Sequence, residues 1–94
     1  MNEKKYIDKI ILLENTIQLN SYPQILIDLI QEAYESFVSK EEFTSDELGA
    51  FCYKIATLSA VYDQKRESYS ILRILIETCQ ILLHLKEFNP ITKQ

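Results

Sequence analysis

The stretch SYSILRILIETCQILLHLKE, residues 68–87, is apolar around most of a helix. A helix on the surface of a protein needs an apolar stripe of only about 100°. The pattern therefore favours a central, buried helix in a bundle, and contact of its surplus apolar surface with a partner chain or a membrane protein is the alternative. Its polar side chains form one narrow row: Ser70, Arg73, Glu77, Gln80, His84 and Glu87.

The five residues before this helix, DQKRE at 63–67, are polar and separate it from another helical pattern. They would place polar side chains where the preceding apolar stripe requires apolar ones, so we expect a turn here. Either Ser68 caps the helix that follows, or Asp63 begins it earlier. We predict a third helix over 45–62 and a fourth over 68–87.

The third helix should begin with a capping box, in which the Thr44 hydroxyl and the Glu47 carboxylate each accept a backbone N–H of the other residue. A second row of mostly small side chains, at Gly49, Ala56 and Ala60 with Tyr53 between them, favours the close approach of another helix. The predicted core stripe is Leu48, Phe51, Cys52, Ile55, Leu58 and Tyr62.

Two amphipathic helices are expected upstream, over 4–19 and 22–39, because apolar residues recur at the helical period. Ser21 and Gln24 have the spacing of a second capping box, with Pro23 in the first helical turn. The expected core residues are Tyr6, Ile10, Leu13 and Ile17, then Leu26, Ile30, Ala33 and Phe37.

The fold predicted for the chain is all-α, a single domain over residues 1–94. A composition with 47% hydrophobic residues, one Gly and two Pro is too apolar for a disordered chain and has few of the turn residues that many short strands would need. Four helices with short connections predict an antiparallel up-down four-helix bundle, followed by a tail at 88–94.

The charge distribution argues against nucleic acid as a partner. The chain has a net charge of −4, with −4 over residues 21–43 and +1 over residues 63–94, and no cluster of Lys and Arg that would bind phosphates. No apolar run is long enough for a membrane-spanning helix. We therefore expect a cytoplasmic protein, with peripheral contact at the inner face of the membrane left open.

Few residues in the sequence point to catalysis. His84 is the one histidine and lies on the polar row, and the expected carboxylate face lacks the Glu-x-x-His pairs of a metal-binding bundle. Cys52 and Cys79 lie on apolar stripes, which predicts two buried free thiols, with a disulfide as the alternative. We expect no enzyme, no metal and no cofactor.

Two segments resemble a known family. SYPQILIDLIQEAYESF at residues 21–37 and FTSDELGAFCYKIATL at residues 43–58, followed by an apolar last helix and a short tail, are similar to the immunity proteins of class IIa (pediocin-like) bacteriocins, the enterocin A immunity family. The resemblance covers roughly residues 6–88. It implies a four-helix bundle in the cytosol that protects a producer cell from its own antimicrobial peptide.

The resemblance also implies partners and a location for the binding surface. The partners would be the membrane components of the mannose phosphotransferase system with bound bacteriocin, approached from the cytosolic side. In that family the C-terminal half governs which bacteriocin is resisted. The corresponding candidate partner-binding residues, basic or apolar, are Lys65, Arg66, Arg73, Lys86, Phe88, Ile91 and Lys93.

Alternatives remain at the sequence level. Arg73 has Glu77 one turn further along the helix, and such a pair contributes only a few tenths of a kcal/mol. The competing function is a homodimerising regulatory or antitoxin-like module that uses the surplus apolar surface of the last helix. The oligomeric state, monomer or homodimer, is left open.

Overall fold

A computed structural model describes residues 3–40 and 42–88 of the chain. It confirms the all-α prediction: these residues form an antiparallel up-down bundle of four helices. Three of the helices lie within one residue of the predicted bounds. The helices are α1 (Glu3–Leu19), α2 (Gln24–Phe37), α3 (Ser45–Val61) and α4 (Ser68–Phe88).

Helix α4 is the central element of the bundle, as its nearly continuous apolar surface predicted. It packs mainly against α3 and α1, and α2 packs mainly against α1. All six residues of the polar row are exposed. Of the apolar residues of α4, Ile74 and Ile81 are partly exposed, at 42% and 41%, and Phe88 at its end is 71% exposed. The buried residues of α4 are Ser68, Leu72, Leu75, Ile76, Thr78, Cys79 and Leu82.

The core consists of one cluster to which every helix contributes, and most of the predicted stripe residues lie in it. Cys52 and Cys79 are both buried free thiols, as the sequence predicted. Burial raises the pKa of each thiol, and for Cys79 the nearby Cys52 adds to the increase. The remaining buried core residues of α1, α2 and α3 are Ile10, Leu13, Ile17, Leu26, Leu29, Ile30, Ala33, Phe37, Leu48, Phe51 and Ile55.

The predicted capping box at the start of α3 is present. The Glu47 backbone N–H donates to the Thr44 hydroxyl at 3.1 Å, and the Thr44 N–H donates to the Glu47 carboxylate at 2.8 Å. The carboxylate also accepts from Lys40 at 3.1 Å. The pKa of Glu47 is lowered, first by the backbone hydrogen bond from Thr44 and then by Lys40.

The capping box predicted at Ser21 is wrong. Pro23 is the N-cap of α2, with extended backbone angles (φ −57°, ψ 142°) and no side-chain capping bond. A Ser21 cap would require Tyr22 to be helical, and a residue that precedes proline is driven away from the helical region. The Gln24 side chain instead donates forward to Asp28 at 2.8 Å.

Helix α2 is consequently shorter than the predicted 22–39. It begins at Gln24, with the Pro23 carbonyl accepting the N–H groups of Leu26 and Ile27. At the other end, Val38 caps the helix by donating its N–H to the Tyr34 carbonyl. The predicted bounds therefore exceed the helix by two residues at each end.

Candidate functional site

The connection between α3 and α4 is fixed by the side chain of Tyr62. This residue caps the end of α3 in an extended conformation, and its hydroxyl lies 2.6 Å from that of Ser68 in the first turn of α4. Its ring stacks on Tyr69, with a centroid distance of 6.3 Å and an interplanar angle of 20°. Contacts from Tyr62, just before the turn, to Ser68 and Tyr69, just after it, therefore join the end of α3 to the first turn of α4.

Residues 63–67 form an ordered turn on this support. The Asp63 carboxylate accepts the backbone N–H of Lys65 at 3.0 Å, and the Asp63 carbonyl accepts that of Arg66 at 3.1 Å. The Arg66 guanidinium lies over the Tyr62 ring, 5.5 Å from its centroid. Both Lys65 and Arg66 are exposed, so this hydrogen-bonded turn presents two cations to solvent.

The turn adjoins the α1–α2 connection, because both connections lie at the same end of the bundle. A cavity of about 540 Å³ separates them. Polar groups dominate its lining, with Arg66 and Glu67 on one side and the α1–α2 connection on the other. The lining residues are Asn20, Ser21, Tyr22, Pro23, Arg66, Glu67, Ser68 and Ile71.

The other candidate residues do not converge on this turn. The Lys86 ammonium lies 4.2 Å from the centroid of the Phe43 ring, and the Phe88 ring makes an edge contact with His84 at 4.3 Å. From Ser68, next to the turn, to Lys86 the chain runs 18 residues along α4, which corresponds to about 27 Å. Lys86 and Phe88 therefore lie at the opposite end of the bundle from Lys65 and Arg66.

Arg73 lies between these ends and is already paired. It donates to the Glu77 carboxylate at 2.8 Å, and both side chains are about half exposed. Tyr69 and, after it, Glu77 raise the pKa of Arg73. The intrahelical pair expected as the alternative to a binding role is thus present. Ile91 and Lys93 fall outside the residues that the structure describes.

A second groove, of about 360 Å³, runs between α3 and α4. Ala56 and Ala60 of the small-residue row are exposed and line it, and the Ser59 hydroxyl beside them is buried without a hydrogen-bond partner among the described residues. Gly49 of the same row lies under α4, where an added Cβ would be 3.9 Å from Leu83. That distance is an ordinary van der Waals contact, so the packing against α4 does not require a glycine at position 49. The two alanines leave a groove open.

Sequence reasoning missed the exposed apolar residues at the end of the bundle that holds the two connections. Leu19 is 83% exposed, Val61 79% and Ile25 49%. A helical wheel carries the signal: Leu19 is nine positions after the buried Ile10, which at 100° per residue places it on the opposite side of α1. The core stripes identify the buried residues, and the apolar residues that lie off those stripes at the helix ends next to the two connections identify this surface.

Within residues 3–40 and 42–88, no three His, Cys, Asp or Glu side chains are grouped so that they could hold a metal ion. His84 is exposed on the polar row. None of the helices in these ranges has the length and apolar content needed to cross a bilayer.

No protein-family model, curated protein or solved structure matches this chain significantly.

Proposed function

We propose that this chain is an immunity protein that protects a producer cell from a pediocin-like bacteriocin. It binds, from the cytosolic side, the mannose phosphotransferase membrane components that carry the bound peptide, and thereby blocks permeabilisation. The proposal starts from the resemblance of residues 21–37 and 43–58 to that family. A protein of this kind acts by binding and needs no turnover.

The observation that supports a binding role most directly is the hydrogen-bonded α3–α4 turn. Lys65 and Arg66 are exposed there, while Tyr62, Ser68 and the Asp63 carboxylate hold the backbone in place. A preorganised loop loses little conformational entropy on binding, so more of its contact energy is available for affinity. The turn also lies in the C-terminal half, where the resemblance places bacteriocin recognition.

The experiment is a protection assay with charge-reversed turns. The double variant Lys65→Glu/Arg66→Glu should lose protection in a bacteriocin-sensitive strain, because it reverses both exposed cations of the turn. Both side chains are exposed, and losing the contact between Arg66 and the Tyr62 ring should cost only about 0.5–1 kcal/mol, so the variant should remain folded. Circular dichroism and a thermal melt on the purified variant check this.

The matched control is Lys5→Glu/Lys9→Glu. It makes the same change in net charge on exposed lysines of α1, near the end of the bundle opposite the turn. This variant should protect as well as the parent chain. If both double variants protect as well as the parent chain, the turn is not part of the mechanism. If both lose protection, the loss comes from the change in net charge and not from the turn.

A homodimerising module is the second candidate, and the open groove between α3 and α4 favours it. The exposed Ala56 and Ala60 would allow a helix of a second copy to approach closely. Dimerisation along this groove predicts a melting temperature that rises with protein concentration. Ala56→Arg should abolish that dependence, whereas an unchanged melting temperature across the concentration range contradicts the module.

A further inference from the structure

The outward side of α3 carries almost no charge, although 26% of the chain is charged. Within residues 48–62, Lys54 is the only charged residue, and its ammonium lies 2.7 Å from the Glu32 carboxylate on α2. A surface helix ordinarily carries charged and polar side chains opposite its core stripe. We call the exposed, uncharged residues of this helix the α3 outer face: Ala50, Tyr53, Ala56, Thr57, Ala60 and Val61.

Leu12 and Ile74, which are exposed on other helices, have charged neighbours. Leu12 lies one turn after the exposed Asp8 on α1. On α4, Ile74 adjoins Arg73 and Glu77, which form an ion pair at 2.8 Å. The α3 outer face differs because, apart from the one paired lysine, charge is absent along about four helical turns. Charged residues are likewise depleted at the centre of protein interfaces.

The small-residue row on this side of α3 has the spacing of a helix-packing seam. Gly49, Tyr53, Ala56 and Ala60 follow one another at intervals of four, three and four residues, as in a helix that packs against another helix. The groove of about 360 Å³ beside the two alanines is open. The Ser59 hydroxyl that lines it is buried without a hydrogen-bond partner among the described residues. The second seam of α3 is therefore not filled by the chain itself.

The α3 outer face is complementary to itself. Tyr53 is 77% exposed and projects from it, whereas Ala56 and Ala60, one and two turns further on, leave room for a large side chain. A two-fold symmetric interface requires that one patch match its own copy. Tyr53 meets Ala60 of a second copy only when the two helices run antiparallel, since in a parallel pair Tyr53 would meet its own counterpart.

Size and charge are compatible with this pairing. The bundle measures 42 × 26 × 17 Å. A long side therefore offers on the order of 700–1,000 Å², which reaches the roughly 800 Å² per partner that a stable interface buries. The antiparallel arrangement brings Asp46 and Glu47, at the start of α3, to the turn at 63–67 of the second copy, whose charges cancel. A parallel arrangement would bring these carboxylates to their own counterparts.

We infer that the α3 outer face pairs antiparallel with the same face of a second copy, with Tyr53 of each chain seated against Ala56 and Ala60 of the other. The pairing rests on the second candidate function, the homodimerising module, and identifies the segment and the contact that would form it. It does not depend on the immunity function. At concentrations where the chain is monomeric, these positions stay exposed.

The test is sedimentation equilibrium of the full chain over a range of concentrations, which gives the dimer dissociation constant. The parent chain should pass from monomer to dimer as its concentration rises. Tyr53→Ala should weaken the dimer about tenfold or more, because it removes the large side chain at the centre of the interface. The matched control, Leu12→Ala, truncates a side chain that is 64% exposed on α1 and should dimerise like the parent.

An exchange of the two side chains tests the contact itself. Ala60→Tyr alone should also weaken the dimer, because two tyrosines then meet. The double variant Tyr53→Ala/Ala60→Tyr should restore it to near the parent value, since large and small side chains have changed places. Positions 53 and 60 lie about 10 Å apart along one helix, so recovery reports a contact between copies. Circular dichroism establishes that each variant is folded.

Four outcomes distinguish the pairing from the functions proposed above. A parent chain that stays monomeric at every concentration would overturn both the pairing and the homodimerising module. A dimer that Tyr53→Ala leaves intact, or that the double variant fails to restore, would overturn the pairing and leave dimerisation through another surface. Protection from a bacteriocin by a chain that does not dimerise would overturn the pairing and leave immunity intact. A dimer with the predicted variant pattern but without protection would support the pairing and count against immunity.

Discussion

The hydroxyls of Tyr62 and Ser68 lie 2.6 Å apart and join the end of α3 to the start of α4. Ser68 is buried at 6% exposure, so its hydroxyl has little access to water as an alternative partner. The Arg66 guanidinium also lies over the Tyr62 ring. The Tyr62 side chain therefore both connects α3 to α4 and contacts a cation of the proposed binding turn.

Tyr62→Phe should separate these two roles. The substitution keeps the ring, with its Tyr69 and Arg66 contacts, but leaves the buried Ser68 hydroxyl unpaired, at a cost of about 1–3 kcal/mol. Urea unfolding monitored by circular dichroism measures the change. Tyr53→Phe, at a tyrosine that is 77% exposed, is the control and should change stability by less than about 0.5 kcal/mol. Equal stability of the two variants would show that the Tyr62–Ser68 bond contributes nothing.

Glu47→Gln should make the chain less stable at neutral pH and should have no effect in strong acid. The folded-state pKa of Glu47 lies below its ordinary value of 4.5, so the charged carboxylate stabilises the fold above that pH. This contribution is lost as the pH falls through the lowered pKa. Denaturant titrations at several pH values measure the difference between parent and variant. A difference that persists unchanged at about pH 2 would contradict the assignment.

Leu75→Ala should be among the most destabilising single truncations. Leu75 is fully buried in α4 at 0% exposure, and removing such a side chain costs about 2–5 kcal/mol, including the cavity it leaves. Ile81→Ala, four-tenths exposed on the same helix, should cost about 1 kcal/mol or less. Chemical unfolding of the two variants gives the comparison directly, and similar losses would contradict the central position of α4.

The two thiols should resist alkylation while the protein is folded. Burial raises the pKa of both Cys52 and Cys79, and the thiolate is the reactive form. Mass spectrometry after iodoacetamide treatment should find neither modified in buffer and both modified in guanidinium. Ala60→Cys, at an exposed position of α3, is the positive control and should react in the folded state. Rapid native modification of Cys52 or Cys79 would contradict their burial.

The sequence predicted features that depend on local pattern. The Thr44–Glu47 box was predictable because its partners are three residues apart and no residue between them resists the helical conformation. The same spacing failed at Ser21 because Pro23 constrains the residue before it, and that constraint outweighs a side-chain cap. A capping pattern that contains proline must therefore satisfy the backbone requirement first.

The candidate site was predictable only in part. Lys65 and Arg66 were predicted in a turn because polar residues interrupt an apolar stripe, and both are exposed there. The pattern could not show that Tyr62 supports them, since this depends on how two helices meet in space. Nor could it show that Lys86 and Phe88 lie at the far end of the bundle, because sharing the C-terminal half does not place residues on one surface.

The most direct test of the immunity function is a protection assay on the parent chain. The chain is expressed in a bacteriocin-sensitive strain, and inhibitory concentrations are measured for a panel of pediocin-like peptides that includes any peptide encoded beside its gene. We predict a raised inhibitory concentration for one or a few peptides and no change for the others. Unchanged sensitivity to every peptide, with the chain folded and abundant in the cells, would contradict the immunity function.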